Sequence, residues 1–108
     1  MTSSGIAERV KHAAAKRVLF LPHAVRQMAR PERMVTPGEV RAVIEHGELI
    51  EDYAEDARGH SCLLHGRGNG NREIHVVCSP KEDYLAVITA YLPSEDEWES
   101  DLRTRKTT

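Results

Sequence analysis

Apolar positions recur along this chain first with a helical period and then with a period of two, and the change falls near residue 47. Ile6, Val10 and Ala13 share one side of an Ala-rich stretch, Gly5 to Lys16, which predicts an amphipathic helix. Val18, Leu19 and Phe20 form a short apolar run that reads as a buried strand or as the entry to the next element. Pro22 suits a first helical position, and Val25, Met28 and Ala29 predict the buried face of a helix that Pro31 ends. Thr36, Pro37 and Glu39 have the spacing of a capping box, with Val35 and Val40 placed to staple it. A helix over 37–46 follows, with Val40, Val43 and Ile44 as its stripe and Gly47 as its C-terminal stop.

Beyond Gly47 the alternation predicts four strands: Glu48 to Tyr53, Ser61 to His65, Glu73 to Ser79 and Tyr84 to Leu92. Arg67-Gly68-Asn69-Gly70-Asn71 has hairpin-loop composition, and Pro80 to Asp83 is a tight turn. Ser94-Glu95-Asp96-Glu97 has the pattern of a second capping box, opening a short C-terminal helix with Trp98 and Leu102 facing inward. Short loops make an antiparallel meander the simplest topology, and the preceding helices must cover one of its faces. The expectation is an α+β two-layer domain: N-terminal helices on a four-stranded antiparallel sheet, ending in a short helix. Its 108 residues suffice for one domain, with residues 1–4 and 104–108 as flexible ends.

Composition narrows the function classes. Hydrophobic residues make up 40% and charged residues 30%, too apolar for a disordered chain. Aromatic residues are 5%, too few for a platform that stacks single-stranded bases. The longest apolar run is far short of a membrane span, and no signal-peptide pattern opens the chain. A cytoplasmic protein with no membrane contact is expected, its cysteines, Cys62 and Cys78, reduced and buried.

A net charge of -2 gives no global pull toward nucleic acid, but that average conceals segregation. Residues 1–46 carry eight Lys and Arg against four acids, whereas residues 47–58 and 82–108 are both acidic. Within the basic half, His23, Arg26, Gln27 and Arg30 form one polar helical stripe, with Arg33 just beyond it. Arginine grips phosphate with two parallel hydrogen bonds, and histidine exchanges protons near neutral pH. The same stripe is also what an ordinary solvated helix face looks like.

His75 interrupts the apolar strand Ile74-Val76-Val77, where a polar side chain must be hydrogen-bonded or face a cleft. Thr89 and Tyr91 are polar on one face of the last strand. A histidine pair, a tyrosine hydroxyl and arginines would suffice for metal-free RNA cleavage. Half-buried structural roles for His75 and Tyr91 explain the pattern as well. His65 and His75, with Cys62 and Cys78 nearby, include zinc ligand types, but their spacing matches no compact zinc pattern. No metal and no other cofactor is expected.

Taken in order, Pro22-His23-Ala24, Gln27-Met28, Gly47 through Tyr53, Ser61 through Leu64, His75-Val76-Val77, Ile88-Thr89-Ala90-Tyr91 and Pro93 followed by Trp98 resemble domain-of-unknown-function family 4258. The resemblance implies a fold related to the RelE/ParE and BrnT toxins and pairing with a cognate antitoxin, often a zinc-finger protein of the YgiT or MqsA kind. It further implies a type II toxin-like ribonuclease that acts on RNA or at the ribosome. Its recurrent polar positions map to His23, His75 and Tyr91, with Thr89 beside the last. Many relatives carry Arg where this chain has Gln27, and Arg26 and Arg30 flank that position. The expected site is therefore His23, His75 and Tyr91 for catalysis, with Arg26, Arg30 and Arg33 for RNA. The alternative is a non-catalytic protein-interaction module on the same fold.

Overall fold

The computed structural model describes residues 5–106. Helix α1 (Gly5–Lys16) leads into a three-residue strand β1 (Val18–Phe20), then α2 (Pro22–Met28) and α3 (Pro37–His46). Strands β2 (Glu48–Tyr53), β3 (Ser61–Arg67), β4 (Glu73–Pro80) and β5 (Leu85–Tyr91) follow, with a 3-10 turn at Asn69–Asn71 between β3 and β4. The sheet order is β1-β5-β4-β3-β2. The meander from β2 to β5 is antiparallel as expected, but the sheet is five-stranded and mixed, because β1 pairs parallel to β5. A three-residue strand has no readable period, so its pairing is a tertiary outcome.

The helices cover one sheet face, α1 over β4 and β5, α3 over β3 and β4, and α2 beside β5. Ile6, Val10, Val40, Val43 and Ile44 pack there against Cys62, Leu64, Ile74, Val76, Cys78 and Val87. The capping box of α3 forms in full: the Glu39 amide donates to Thr36 Oγ1 at 3.1 Å and the Thr36 amide to Glu39 Oε1 at 3.0 Å. Gly47 stops the helix in a different way from the one expected. Its φ is −76°, not left-handed, and a Cβ there would sit 2.6 Å from the carbonyl oxygens of both Val43 and His65. The residue is glycine because β3 crosses against the helix end.

Helix α2 is turned by about one position from its expected orientation. Ala24 and Met28 are its buried pair, whereas Val25 is 51% exposed and Ala29 is exposed. Two turns of helix hold too few apolar positions to fix a face, so packing on β5 decides it.

The C-terminal segment departs furthest from expectation. Among the described residues no helix forms after Ser94; one turn closes as the Trp98 amide donates to the Ser94 carbonyl at 3.1 Å, and the chain then reverses. Asp101 accepts from the Arg103 and Thr104 amides, and Leu102 takes a positive φ of 57°. This side-chain-capped turn competes with helix continuation. Residues 104–106 fold back along the segment, where the Lys106 amide donates to the Glu97 carbonyl at 3.0 Å and Trp98 bridges to Arg105. The expectations for residues 1–4, 107 and 108 lie outside the described residues.

Candidate functional site

A bulge in β5 creates the site. Val77 opposes Thr89 but Cys78 opposes Val87, so Ile88 is an extra residue on β5. Side chains of an unbroken strand alternate, and Thr89 and Tyr91 would then point with Leu85 and Val87 into the helix-packed core. The extra residue re-aims both to the far face, where Tyr91 stands directly opposite His75. Because β1 pairs with β5 only as far as Val87, the rest of that edge is open and α2 borders it. A cleft of about 530 Å³ lies there, lined by His23 and Gln27 from α2, Arg33 from the loop after it, and Thr89 and Tyr91 from β5. Ser94, Asp96 and Glu97 form its other wall.

Behind Tyr91 runs a hydrogen-bonded chain. His75, with no exposed surface, donates from Nε2 to the Leu102 carbonyl at 2.7 Å. That donation fixes the tautomer, leaving the Nδ1 lone pair to accept from the Tyr91 hydroxyl at 3.3 Å. Trp98 packs edge-on to the imidazole at 4.6 Å between ring centroids, and His65 does so at 5.5 Å. Burial pushes the His75 pKa below its ordinary value; the Leu102 bond works against that shift without cancelling it. Burial raises the Tyr91 phenol, so both groups are neutral near pH 7.

The segment over this face is pinned by Arg105. Its guanidinium lies 4.5 Å from the Trp98 ring centroid and bonds Glu51 Oε1 at 3.0 Å. Glu51 also accepts from the Tyr53 hydroxyl. Burial alone would raise the Glu51 pKa, but the bonds from Arg105 and Tyr53 outweigh it and hold the carboxyl low. His65, 5% exposed, pairs with Glu73, which in turn holds Arg67 at 2.9 Å.

Of the residues expected to form a site, His23, Arg33, Thr89 and Tyr91 share the cleft, and His75 reaches it only through Tyr91. Arg26 and Arg30 do not line it; Arg30 instead bonds Gln27 at 3.4 Å and Glu32 at 3.5 Å. The Cys62 and Cys78 side chains belong to the helix-packed face, and His65 and His75 to the other, so the four cannot meet around one ion. Among the described residues no group of three or more His, Cys, Asp or Glu is placed to hold a metal.

Asp96 and Glu97 are cleft residues that sequence reasoning assigned to a helix start. Glu39 was legible only as a cap. It is also 3% exposed and takes Arg72 Nη2 at 2.9 Å and the Asn69 amide at 2.7 Å. Those bonds tie α3 to the β3–β4 hairpin.

Helices on one face of a bulged mixed sheet, with a polar cleft at the end of β5, define a small two-layer α+β protein. The chain belongs to the family Domain of unknown function (DUF4258), whose model matches residues 20–92. That span takes in His23, Arg33, His75, Thr89 and Tyr91 and stops before the segment carrying Trp98. No curated protein and no solved structure matches the chain. No helix among the described residues is long and apolar enough to cross a membrane.

Proposed function

We propose that the protein is the toxin-like component of a type II toxin–antitoxin pair and a metal-independent endoribonuclease acting at the cleft between α2 and β5. The observation that carries this reading is the convergence there of His23, Arg33 and Tyr91 from three separate stretches, with His75 behind the phenol. In the proposed reaction the RNA 2′-hydroxyl gives its proton to the Tyr91 oxygen as Tyr91 passes its own to His75 Nδ1. The 2′-oxygen bonds to phosphorus, Arg33 stabilises the charged phosphorane, and the bond to the 5′-oxygen breaks. His23, as the general acid, gives the leaving 5′-oxygen its proton, so the products are a 2′,3′-cyclic phosphate and a 5′-hydroxyl end. Burial keeps His75 in the neutral form that this transfer needs.

Asp96 and Glu97 on the facing wall repel a polyanion, which limits the grip to a short stretch of RNA or to RNA presented by the ribosome. The test is cleavage of single-stranded RNA and of translating ribosomes by purified protein in chelator, with end-group analysis. Cyclic-phosphate ends, lost in His23→Ala and Tyr91→Phe, are the expected result. Intact RNA in both assays, with the protein folded, overturns the reading.

The same acidic wall favours a second reading, a non-catalytic module that binds a protein partner. In that case the Ala and Phe variants keep partner binding, and no RNA ends appear.

A further inference from the structure

On the other side of α2 from the cleft lies a groove of about 370 Å³ whose lining is almost wholly apolar: Phe20, Val25, Met28, Met34, Val35 and Pro37 are its principal walls. The large hydrophobic side chains that the described residues leave exposed are Leu19, Val25 and Met34, at 36%, 51% and 58%. Val25 and Met34 line this groove together with Phe20, whereas Leu19 points to the opposite face of β1. Scattered exposed side chains need no explanation, whereas a cluster rimmed by charge marks an interaction surface.

Met34 is held outward. Its φ of 47° is rare for a residue with a side chain, and three bonds fix the loop that carries it. Arg72 donates to the carbonyls of Arg33 at 2.6 Å and Met34 at 3.0 Å, and the Met34 amide donates to the Arg30 carbonyl at 2.8 Å. The loop so fixed leaves the Met34 side chain 58% exposed at the mouth of the groove.

β1 is an edge of the sheet, and among the described residues no strand pairs on its far side. The Leu85 amide donates to the Arg17 carbonyl and the Leu21 amide to the Val87 carbonyl. Residues 17, 19 and 21 therefore turn their backbone toward β5, and Val18 and Phe20 turn theirs to the open edge. Arg41 lies over the Phe20 ring at 5.7 Å, and Arg26 follows Val25 on α2. Both arginines are exposed, and neither is in an ion pair among the described residues.

We infer that the β1 edge and its groove dock an extended, acidic segment of another protein, which adds a strand beside β1. Its backbone bonds Val18 and Phe20, alternate large apolar side chains fill the groove, and its carboxylates meet Arg26 and Arg41. Charge selects this occupant. A second copy pairing through its own β1 brings only Val18, Leu19 and Phe20 as strand side chains and no carboxylate for these arginines. An RNA strand finds phosphate partners at the rim but only aliphatic walls and an Arg-covered phenyl ring within. The inference stands apart from the cleavage reading, since the groove and the cleft lie on different sides of α2 and share no lining residue.

Selection from a displayed library of random peptides of about 12 residues, long enough for one added strand, tests it on the full chain. The double variant Val25→Lys, Met34→Lys serves as counter-selection; both positions are exposed, and circular dichroism and Trp98 emission report whether it folds. Enriched peptides should alternate Asp or Glu with Leu, Ile, Val or Phe and shift the amides of residues 18–20 in nuclear magnetic resonance spectra. Arg41→Glu should weaken them at least about tenfold, and replacing their acids with lysine should restore binding to that variant. The charge swap decides the question even if the double variant fails to fold. Basic or unpatterned winners, amide shifts at another surface, no enrichment, or a dimer of the chain that the same variants abolish would each overturn the inference.

Discussion

His75 Nε2 donates to the carbonyl oxygen of Leu102, 2.7 Å away, and this bond joins the middle of the sheet to the segment that covers it. Leu102 can present that carbonyl because its φ is positive, at 57°, in a turn capped by Asp101. The same bond sets the histidine tautomer and so directs the Tyr91 hydroxyl toward Nδ1. One interaction thereby couples the covering segment to the geometry of the cleft. A polar residue in the centre of a strand is tolerated because both of its ring nitrogens are satisfied.

The His75 pKa is lowered by burial, so the unfolded chain binds its proton more readily than the folded one. The contribution is fully present above the unfolded value of about 6.5 and fades as pH falls through the folded value below it. Urea midpoints should therefore drop between about pH 7.5 and pH 5.5, and His75→Gln should flatten that part of the slope. Equal slopes in the two proteins would assign the acid sensitivity to other groups.

The cleft separates the arginines by position. Arg33→Ala and His23→Ala should each lower RNA cleavage by about 100-fold or more, because both groups act on charge that develops in the transition state. Arg26→Ala and Arg30→Ala, whose side chains lie outside the cleft, should cost less than about threefold at moderate salt. His75→Ala should resemble Tyr91→Phe in rate, and neither should add much to the other in the double variant. Initial rates on a short labelled RNA give all of these values, and additive losses would mean that the two residues do not work as a relay.

The elements with strong local signals were legible in the sequence: α1 and α3 end where expected, and the Thr36–Glu39 box forms. Elements fixed by long-range contacts were not. The parallel pairing of β1 depends on residues more than sixty positions away, and the rotation of α2 on how Ala24 and Met28 meet β5. The bulge at Ile88 reverses the phase of Thr89 and Tyr91 relative to Leu85 and Val87, which period-two reading cannot register. His75 and Tyr91 were legible as polar interruptions of apolar strands, but their contact and the burial of His75 required the register. Asp96 and Glu97 carried a genuine N-terminal signal that yielded one turn, because the Glu99 amide that would extend it donates to the Thr104 carbonyl instead, at 2.7 Å.

Glu39 accepts from the Thr36 and Asn69 amides and from Arg72 while itself 3% exposed. Burial would raise its pKa, yet these three donors together lower it. Glu39→Ala removes the acceptor of both amides and the carboxylate partner of Arg72, which keeps its bonds to the Arg33 and Met34 carbonyls, and should destabilise the fold by about 3 kcal/mol. Arg72→Ala should cost less, since that side chain is 32% exposed and its partner keeps two amide donors. Denaturant melts of the two variants give the comparison, and a smaller loss for Glu39→Ala than for Arg72→Ala would reject this account of the hairpin anchor.

Trp98 is the large apolar anchor of the covering segment, 1% exposed between His75 and Arg105, whereas Leu102 is only half-buried. Trp98→Ala removes most of the apolar surface that holds residues 94–106 to the sheet and should cost about 3–5 kcal/mol. Trp98→Phe keeps an aromatic edge against His75 and should cost less than half of that. Amide hydrogen exchange separates local from global loss: residues 97–106 should lose protection first in Trp98→Ala, while β3 and β4 keep theirs until the whole fold opens. Arg105→Ala should show a weaker form of the same pattern, because Glu51 would then lose the guanidinium that holds its pKa down. Uniform loss of protection in both variants would mean that the segment and the sheet unfold as one unit.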